Sequence, residues 1–93
     1  MTDVLVPSSA QRLAKVAAEH GWRVKIDTAY GVWKDKAIDS VLVRLKHPNG
    51  TNAVAQWIDG KAAGAWQWPV PGFYQQREKI AMRELTNRVK AAS

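Results

Sequence analysis

The residues best suited to chemistry are tryptophans and cations rather than acids or nucleophiles. The chain of 93 residues contains five tryptophans, 14 lysines and arginines and 8 acidic residues, for a net charge of +6. Flat indole rings can stack on unpaired bases while neighbouring cations contact phosphates. Trp and Arg are also favoured at the centres of protein interfaces. We therefore expect a binding surface built from these residues.

Residues suited to catalysis are few and scattered. His20 and His47 are the two histidines; their predicted positions favour a helix-end histidine stabilised by the helix dipole and a solvated loop histidine. The chain has no cysteine, which excludes thiolate metal sites and a cysteine nucleophile. No phosphate-binding glycine loop, acidic metal-binding loop or serine nucleophile motif is present. We expect a protein that is not an enzyme and that uses no cofactor or metal.

One stretch, TNAVAQWIDGKAAGAWQW, predicts a β-hairpin with Asp59 and Gly60 as its turn. A tight hairpin turn needs positive φ at both central positions, which Gly accepts freely and Asp tolerates. A two-residue turn opposes Trp57 to Ala62, and strand alternation then gathers three indole rings on one face. The rings on that face are those of Trp57, Trp66 and Trp68.

A turn at Asn49 and Gly50 predicts another strand before this hairpin, over residues 38–46. A two-residue loop there pairs Leu45 with Val54. The cations that join the tryptophan face are Arg44 and Lys46. The opposite face collects Val41, Val43, Leu45, Val54, Ile58, Ala63 and Ala65. A three-residue loop would shift the pairing by one residue and turn over the third strand.

The sequence leaves open which of these two faces the helices cover. If the tryptophan face contacts solvent, it forms an aromatic and cationic binding platform. If it contacts the helices, the tryptophans form the core, since Trp is usually largely buried. Val41, Val43 and Leu45 would then be exposed, and a homodimer through the sheet would cover them.

Helices are predicted at both ends of the chain. Ser8 and Ser9 provide hydroxyl caps for a first helix over residues 10–20, and Gly21 ends it. Its apolar stripe consists of Ala10, Leu13, Val16, Ala17 and His20. The alternation that follows predicts a first strand over residues 23–33.

A stiff connector precedes the second predicted helix, because the two prolines of WPVPG remove backbone donors. From Phe73 the absence of Gly and Pro predicts a helix that extends towards the end of the sequence. Its predicted buried stripe is Phe73, Ile80, Ala81, Leu85 and Val89. Its cations, which outnumber its glutamates, are Arg77, Lys79, Arg83, Arg88 and Lys90. Such a helix could lie along a nucleic-acid backbone.

The order of these elements predicts an α+β fold in a single domain over residues 1–93. The arrangement is a two-layer α-β-β-β(-β)-α domain, an antiparallel sheet with both helices on one face. This order resembles that of the double-stranded RNA-binding domain, whose last helix also follows phosphates. That family's last helix opens with a lysine cluster, where this chain has QQREK at residues 75–79. Its Gly-Pro-x-His loop is also missing, so we take no function from the resemblance.

Composition favours a cytoplasmic protein without membrane contact. The first residues lack the basic start of a secretory signal, and no apolar run approaches the roughly 18 residues of a membrane span. The absence of cysteine fits a reducing compartment. The small size and the Ala, Val, Trp and Arg bias are similar to those of short accessory proteins of actinobacteria and their phages.

Together these observations predict a small basic binding module with nucleic acid as its expected ligand. A protein partner is the alternative, for example a host protein bound by a phage-type modulator. The predicted contact residues belong to the tryptophan face and to the basic C-terminal helix. They are Arg44, Lys46, Trp57, Trp66, Trp68, Arg77, Lys79, Arg83, Arg88 and Lys90.

Overall fold

The fold consists of one antiparallel sheet and two helices, as predicted. The computed structural model describes residues 6–33, 35–68 and 78–92. In chain order the elements are α1 (Ser8–Glu19), β1 (Arg23–Trp33), β2 (Lys36–Lys46), β3 (Asn52–Ile58), β4 (Lys61–Trp68), β5 (Glu78–Ile80) and α2 (Met82–Ala91). The strands lie side by side in their sequence order, each antiparallel to the next. This is the predicted α+β two-layer class.

Both helices pack on one face of the sheet, which we call the helix-side face; the opposite face is the outer face. The buried side chains of the helices are Ala10, Leu13, Ala17, Leu85 and Val89. The sheet side chains packed with them are Val41, Val43, Leu45, Ala53, Ala55, Trp57 and Ala65. The many alanines let helices and sheet approach closely, and the indole of Trp57 fills the space that remains. The homodimer predicted for exposed Val41, Val43 and Leu45 is therefore ruled out at that face, because the helices cover it.

The loop between β2 and β3 contains three residues rather than two. His47 N donates to Thr51 O at 2.9 Å, which leaves residues 48–50 as the loop. Gly50 there has a φ of +94°, the left-handed conformation that closes a three-residue hairpin loop. The predicted β2–β3 register is therefore wrong by one residue.

This shift turns β3 over relative to the prediction. Trp57 lies opposite Val41 and is only 1% exposed, so the prediction that it shares a face with Arg44 and Lys46 is wrong. Val54 and Ile58 move the other way, from the predicted aliphatic face to the outer face. The exchange is favourable because burying an indole beneath the helices removes about 150–250 Å² from water.

A bulge in β4 turns over the part of β4 that follows it and so reverses the effect of the first shift. Ala63 is the extra residue, since Gln56 pairs with Gly64 whereas Trp57 pairs with Ala62. A bulge of this kind sets two residues of one strand against one of its partner. The two tryptophans after the bulge therefore lie on the outer face, as predicted. The turn itself is also confirmed, because Asp59 and Gly60 both have positive φ.

The second helix begins later than predicted. Residues Glu78–Ile80 form β5, which pairs with β4, and α2 starts only at Met82. Edge pairing has overridden helix propensity here, since Ile80 packs against the core as a strand residue. Ala81 is exposed, so its predicted place in a buried stripe is wrong. The predictions made for Phe73 and Arg77 lie outside the described residues.

The first helix begins at Ser8, and neither serine caps it. Its N-terminal position is Pro7, and no side-chain hydroxyl accepts a capping hydrogen bond. Gly21 ends the helix with a φ of +85°, as predicted. Val16 is half-buried beside the core, whereas His20 is exposed rather than part of the apolar stripe.

The sheet has five described strands rather than the predicted three or four, because β5 adds a strand beside β4. Within the described ranges, neither helix has the length and apolar character needed to cross a membrane.

Candidate functional site

The outer face gathers cations from four of the five strands. Strand alternation and the observed register place seven lysines and arginines there, against Asp27 as the one acid among the described strand residues of this face. The seven cations are Arg23, Lys25, Lys36, Arg44, Lys46, Lys61 and Lys79. No described helix covers this face. Its charge and its contact with solvent make it the strongest candidate for binding a polyanion.

Two neighbouring depressions lie on this face and share two lining residues, Arg44 and Trp68. The larger has a volume of about 490 Å³, and its lining includes four cations and one tryptophan: Arg23, Val24, Lys25, Arg44, Leu45, Lys46, Asn52, Ala53 and Trp68. The smaller, of about 260 Å³, is lined by Leu42, Arg44, Val54, Gln56, Trp66 and Trp68. Together they form a groove that runs from a cationic end to an aromatic end.

Gly64 leaves room for the indole of Trp66 to lie against the sheet. A Cβ atom built on Gly64 would lie 2.8 Å from Trp66 Cη2 and 3.2 Å from its Cζ2. Any other residue at position 64 would therefore displace the ring. Both residues lie on the outer face of β4, two positions apart, so the benzenoid ring lies along the strand in a preset position.

The carboxylate of Asp27 organises two of the cations of this face. Arg44 Nε donates to Asp27 Oδ2 at 2.6 Å, and Lys25 Nζ lies 3.9 Å from Asp27 Oδ1. The Arg44 side chain remains 55% exposed, so this contact orients a guanidinium that is still accessible to solvent. Because both partners are exposed, the pair contributes little to stability. Its effect is on geometry.

Trp57 belongs to the core and cannot stack on a ligand at the outer face. Its indole Nε1 donates to Ser9 Oγ at 2.9 Å, which ties β3 to α1. Trp22 has a similar role, because its Nε1 donates to Val89 O at 3.1 Å in a buried contact with α2. Both indoles thus have satisfied polar groups and act as structural residues.

The cations predicted for the C-terminal helix separate into different parts of the fold. Lys79 lies on β5 opposite Trp66 and so joins the outer face. Arg88 donates to Glu84, Glu78 and Gln67 at 2.8 to 3.1 Å. Hydrogen bonds to Glu78 and then Glu84 raise the pKa of Arg88 above its ordinary value. Arg88 therefore holds α2 against β4 and β5 rather than facing a ligand.

Of the predicted helix cations, Arg83 and Lys90 remain on the exposed surface of α2. Lys90 lines a mainly apolar cavity of about 320 Å³ between the two helices, with Arg12 at its rim and Trp57 among its walls. Two cations on a short helix are a much weaker electrostatic feature than the outer face.

Arg23 and Lys25 were missed as candidate site residues. They lie opposite Lys46 and Arg44 on the neighbouring strand. Their alternation with apolar residues was visible in the sequence, and the signal that could have placed them is the turn at Asp35, which has a φ of +63°. A tight turn there pairs the whole of β1 with β2 and brings the two sets of cations together.

Both histidines lie at the predicted positions in the chain, but the expectation that His47 is solvated is wrong, because the side chain packs beside Trp22. His20 is exposed at the end of α1, with Nδ1 2.9 Å from Val16 O. His47 is 8% exposed, accepts from Asn49 N at 3.1 Å and contacts the ring of Trp22 edge-on with centroids 4.9 Å apart. In the part of the chain that the structure describes, no group of three or more His, Cys, Asp or Glu could hold a metal ion.

Comparison with known proteins returns no matching family, no similar curated protein and no similar solved structure.

Proposed function

We propose that this protein binds single-stranded nucleic acid on the outer face of its sheet. The observation that carries the proposal is the groove in which Trp66 and Trp68 lie beside the cations of β1, β2 and β5. Aromatic rings provide stacking surfaces for unpaired bases, and the cations follow the phosphates. The ligand class was expected from the composition, although Trp57 does not contribute.

The shape of the face favours a single strand over a duplex. Recognition of duplex DNA usually inserts a helix or a two-stranded ribbon into the major groove. The outer face has instead a shallow groove in which the indole of Trp66 lies along its strand. Bases can reach such rings only when they are unpaired.

The outer face is favoured over α2 because of how the cations are distributed. Arg88 is engaged with two carboxylates, and Lys79 belongs to the sheet. What is left on α2 amounts to Arg83 and Lys90. The seven cations of the outer face can displace more counterions from a phosphate backbone than the two on α2 can.

A titration of a fluorescently labelled short oligothymidine, followed by anisotropy, tests the proposal. We expect binding to weaken steeply with salt, and each lost phosphate contact to reduce the salt slope by about 0.7. Lys46→Gln should reduce both the affinity and this slope. Lys15→Gln is the matched control, since it removes one exposed cation from α1 and should change the slope little.

Two tryptophan variants test whether the indole rings of the groove stack on bases. Trp66→Leu and Trp68→Leu should each weaken binding by an amount that corresponds to about 1–3 kcal/mol of stacking. They should leave the salt slope unchanged, because no cation is removed. If Lys46→Gln and both tryptophan variants bind the oligonucleotide as tightly as the parent chain does, the outer face is not the binding surface.

A protein ligand is the second candidate, and the apolar floor of the smaller depression favours it. Leu42 and Val54 line that depression beside the two tryptophans, a combination typical of interface centres. Binding through such contacts should respond little to salt. A ligand whose affinity falls in the tryptophan variants but does not vary with salt would support this candidate.

A further inference from the structure

The exposed apolar side chains of the protein are concentrated on one strand. Among the described residues, the large hydrophobic side chains that remain exposed are Ile26 at 39%, Tyr30 at 58% and Val32 at 72%. All three belong to β1 and, by alternation with Val24, point to the helix-side face. Val24 packs against the core. The helices therefore cover the beginning of β1 and leave the rest of its apolar side uncovered.

The same strand forms an edge of the sheet. In the described fold β1 has β2 on one side and no strand on the other. It is 11 residues long, whereas the strand at the opposite edge has three, and it contains no proline. A long, regular edge with exposed apolar residues is a template for pairing with another strand.

We propose that β1 pairs antiparallel with β1 of a second copy, about a twofold axis at Thr28. Thr28 is the midpoint of Arg23–Trp33, so this register pairs the entire strand. On the helix-side face it sets Ile26 of each copy opposite Tyr30 of the other. It also sets the two remaining apolar residues, Val24 and Val32, opposite each other.

Charge on the outer side of the strand fits the same register. Lys25 lies opposite Gly31 of the second copy, and Asp27 lies opposite Ala29, so no charge faces a like charge. Moving the axis by one residue, to Asp27, would oppose the two Asp27 carboxylates directly, which is destabilising. Moving it by two, to Ile26, would leave Val32 without a partner on β1. An axis at Ala29 would leave Val24 without a partner on β1, so the axis at Thr28 alone pairs all four apolar residues with one another and opposes no like charges.

The resulting dimer would contain one continuous ten-stranded sheet. An axis of this kind is perpendicular to the sheet and places all four helices on one side. The two outer faces then form one surface with both grooves on it. The inference does not rest on the proposed function, because it depends on the edge of β1 and on its helix-side residues. Since pairing along one strand buries less than the roughly 1,600 Å² of a standard interface, we expect a dissociation constant on the order of micromolar.

Sedimentation equilibrium over a wide range of protein concentrations tests the dimer. The parent chain should dissociate on dilution with a mass that falls from two copies to one. Ile26→Lys and Tyr30→Glu should each weaken association at least about tenfold, because each leaves a charge opposite an apolar residue. The double variant should restore association, since Lys and Glu would then face each other at both positions.

A cysteine variant tests the register. Because the chain has no cysteine, Thr28→Cys introduces a single thiol at the axis. The two Cα atoms would lie about 4.5–5.5 Å apart, within the range that a disulfide bridges. Ala29→Cys is the matched control, because its Cα atoms would be about 8 Å apart by strand spacing.

With oxidised glutathione, Thr28→Cys should form a covalent dimer much faster than Ala29→Cys. A parent chain that sediments as a monomer into the high micromolar range would overturn the proposal. So would equal cross-linking of the two cysteine variants, or a failure of the double variant to associate while circular dichroism shows that it is folded.

Discussion

The two faces of the sheet use the same amino acid in opposite ways. On the helix-side face, Trp22 and Trp57 are almost fully buried, and each indole N–H donates to a group on a helix. On the outer face, Trp66 and Trp68 are half-buried and line a groove with cations. The position of a tryptophan, and not the number of tryptophans, therefore separates the structural residues from the proposed binding residues.

Replacing the buried indole should show the largest difference between the faces. Trp57→Ala should reduce the free energy of unfolding by about 3–5 kcal/mol, because it leaves a cavity beneath both helices. Trp68→Ala, on the outer face, should cost about 1 kcal/mol or less. Urea denaturation followed by circular dichroism measures both. Equal losses would break the division between structural and binding tryptophans.

Removing the hydrogen bond between Trp57 and Ser9 should cause a smaller loss of stability. Ser9→Ala should cost about 1–2 kcal/mol, since the N–H of Trp57 would lose its acceptor in a partly buried site. Ser8→Ala is the matched control, because Ser8 is exposed and makes no capping hydrogen bond; it should change stability by less than about 0.5 kcal/mol. Thermal denaturation of the pair measures the difference. If both serines had equal effects, the Trp57–Ser9 contact would not be what joins β3 to α1.

Two arginines of α2 extend the comparison to charged residues. Arg88→Met should cost about 1 kcal/mol, because half-exposed ion pairs contribute modestly even when one cation holds two carboxylates. Arg83→Met should have almost no effect, since Arg83 is exposed. Hydrogen exchange of the β5 amides should accelerate in Arg88→Met alone. Unchanged protection would mean that this arginine does not hold α2 to the edge of the sheet.

The smallest expected change in stability belongs to the outer face. Gly64→Ala introduces a Cβ in contact with the ring of Trp66, and we expect it to change stability by less than about 1 kcal/mol. It should shift the tryptophan emission and weaken oligonucleotide binding several-fold. Gly31→Ala is the control, because a Cβ there meets nothing within 4 Å. If Gly64→Ala bound like the parent, the preset position of Trp66 would be irrelevant to binding.

Local sequence signals determined a large part of the fold. The Asp59-Gly60 turn, the limits of β1 and the left-handed Gly21 were all predictable, because each depends on backbone preferences of a few adjacent residues. The buried positions Ala10, Leu13 and Ala17 of α1 followed from helical spacing.

The strand register was not accessible in the same way. A loop of three residues and a bulge at Ala63 each moved the pairing by one residue. Each offset exchanges the two faces, so the second cancelled the first for β4 but not for β3. Trp66 and Trp68 therefore lie where predicted, beside Arg44 and Lys46, whereas Trp57 does not.

The amino-acid sequence alone was enough to predict the Asp59-Gly60 turn, the α+β class and the residue types of the proposed binding surface. The tertiary structure decided which tryptophans belong to that surface, made Lys79 a strand residue and joined Arg23 and Lys25 to the groove. The physical reason is that turns and helix stripes depend on neighbours in the chain. Register and edge pairing depend instead on which side chains fill the alanine-rich core. That is decided by contacts between residues far apart in the chain, which form only in the folded sheet.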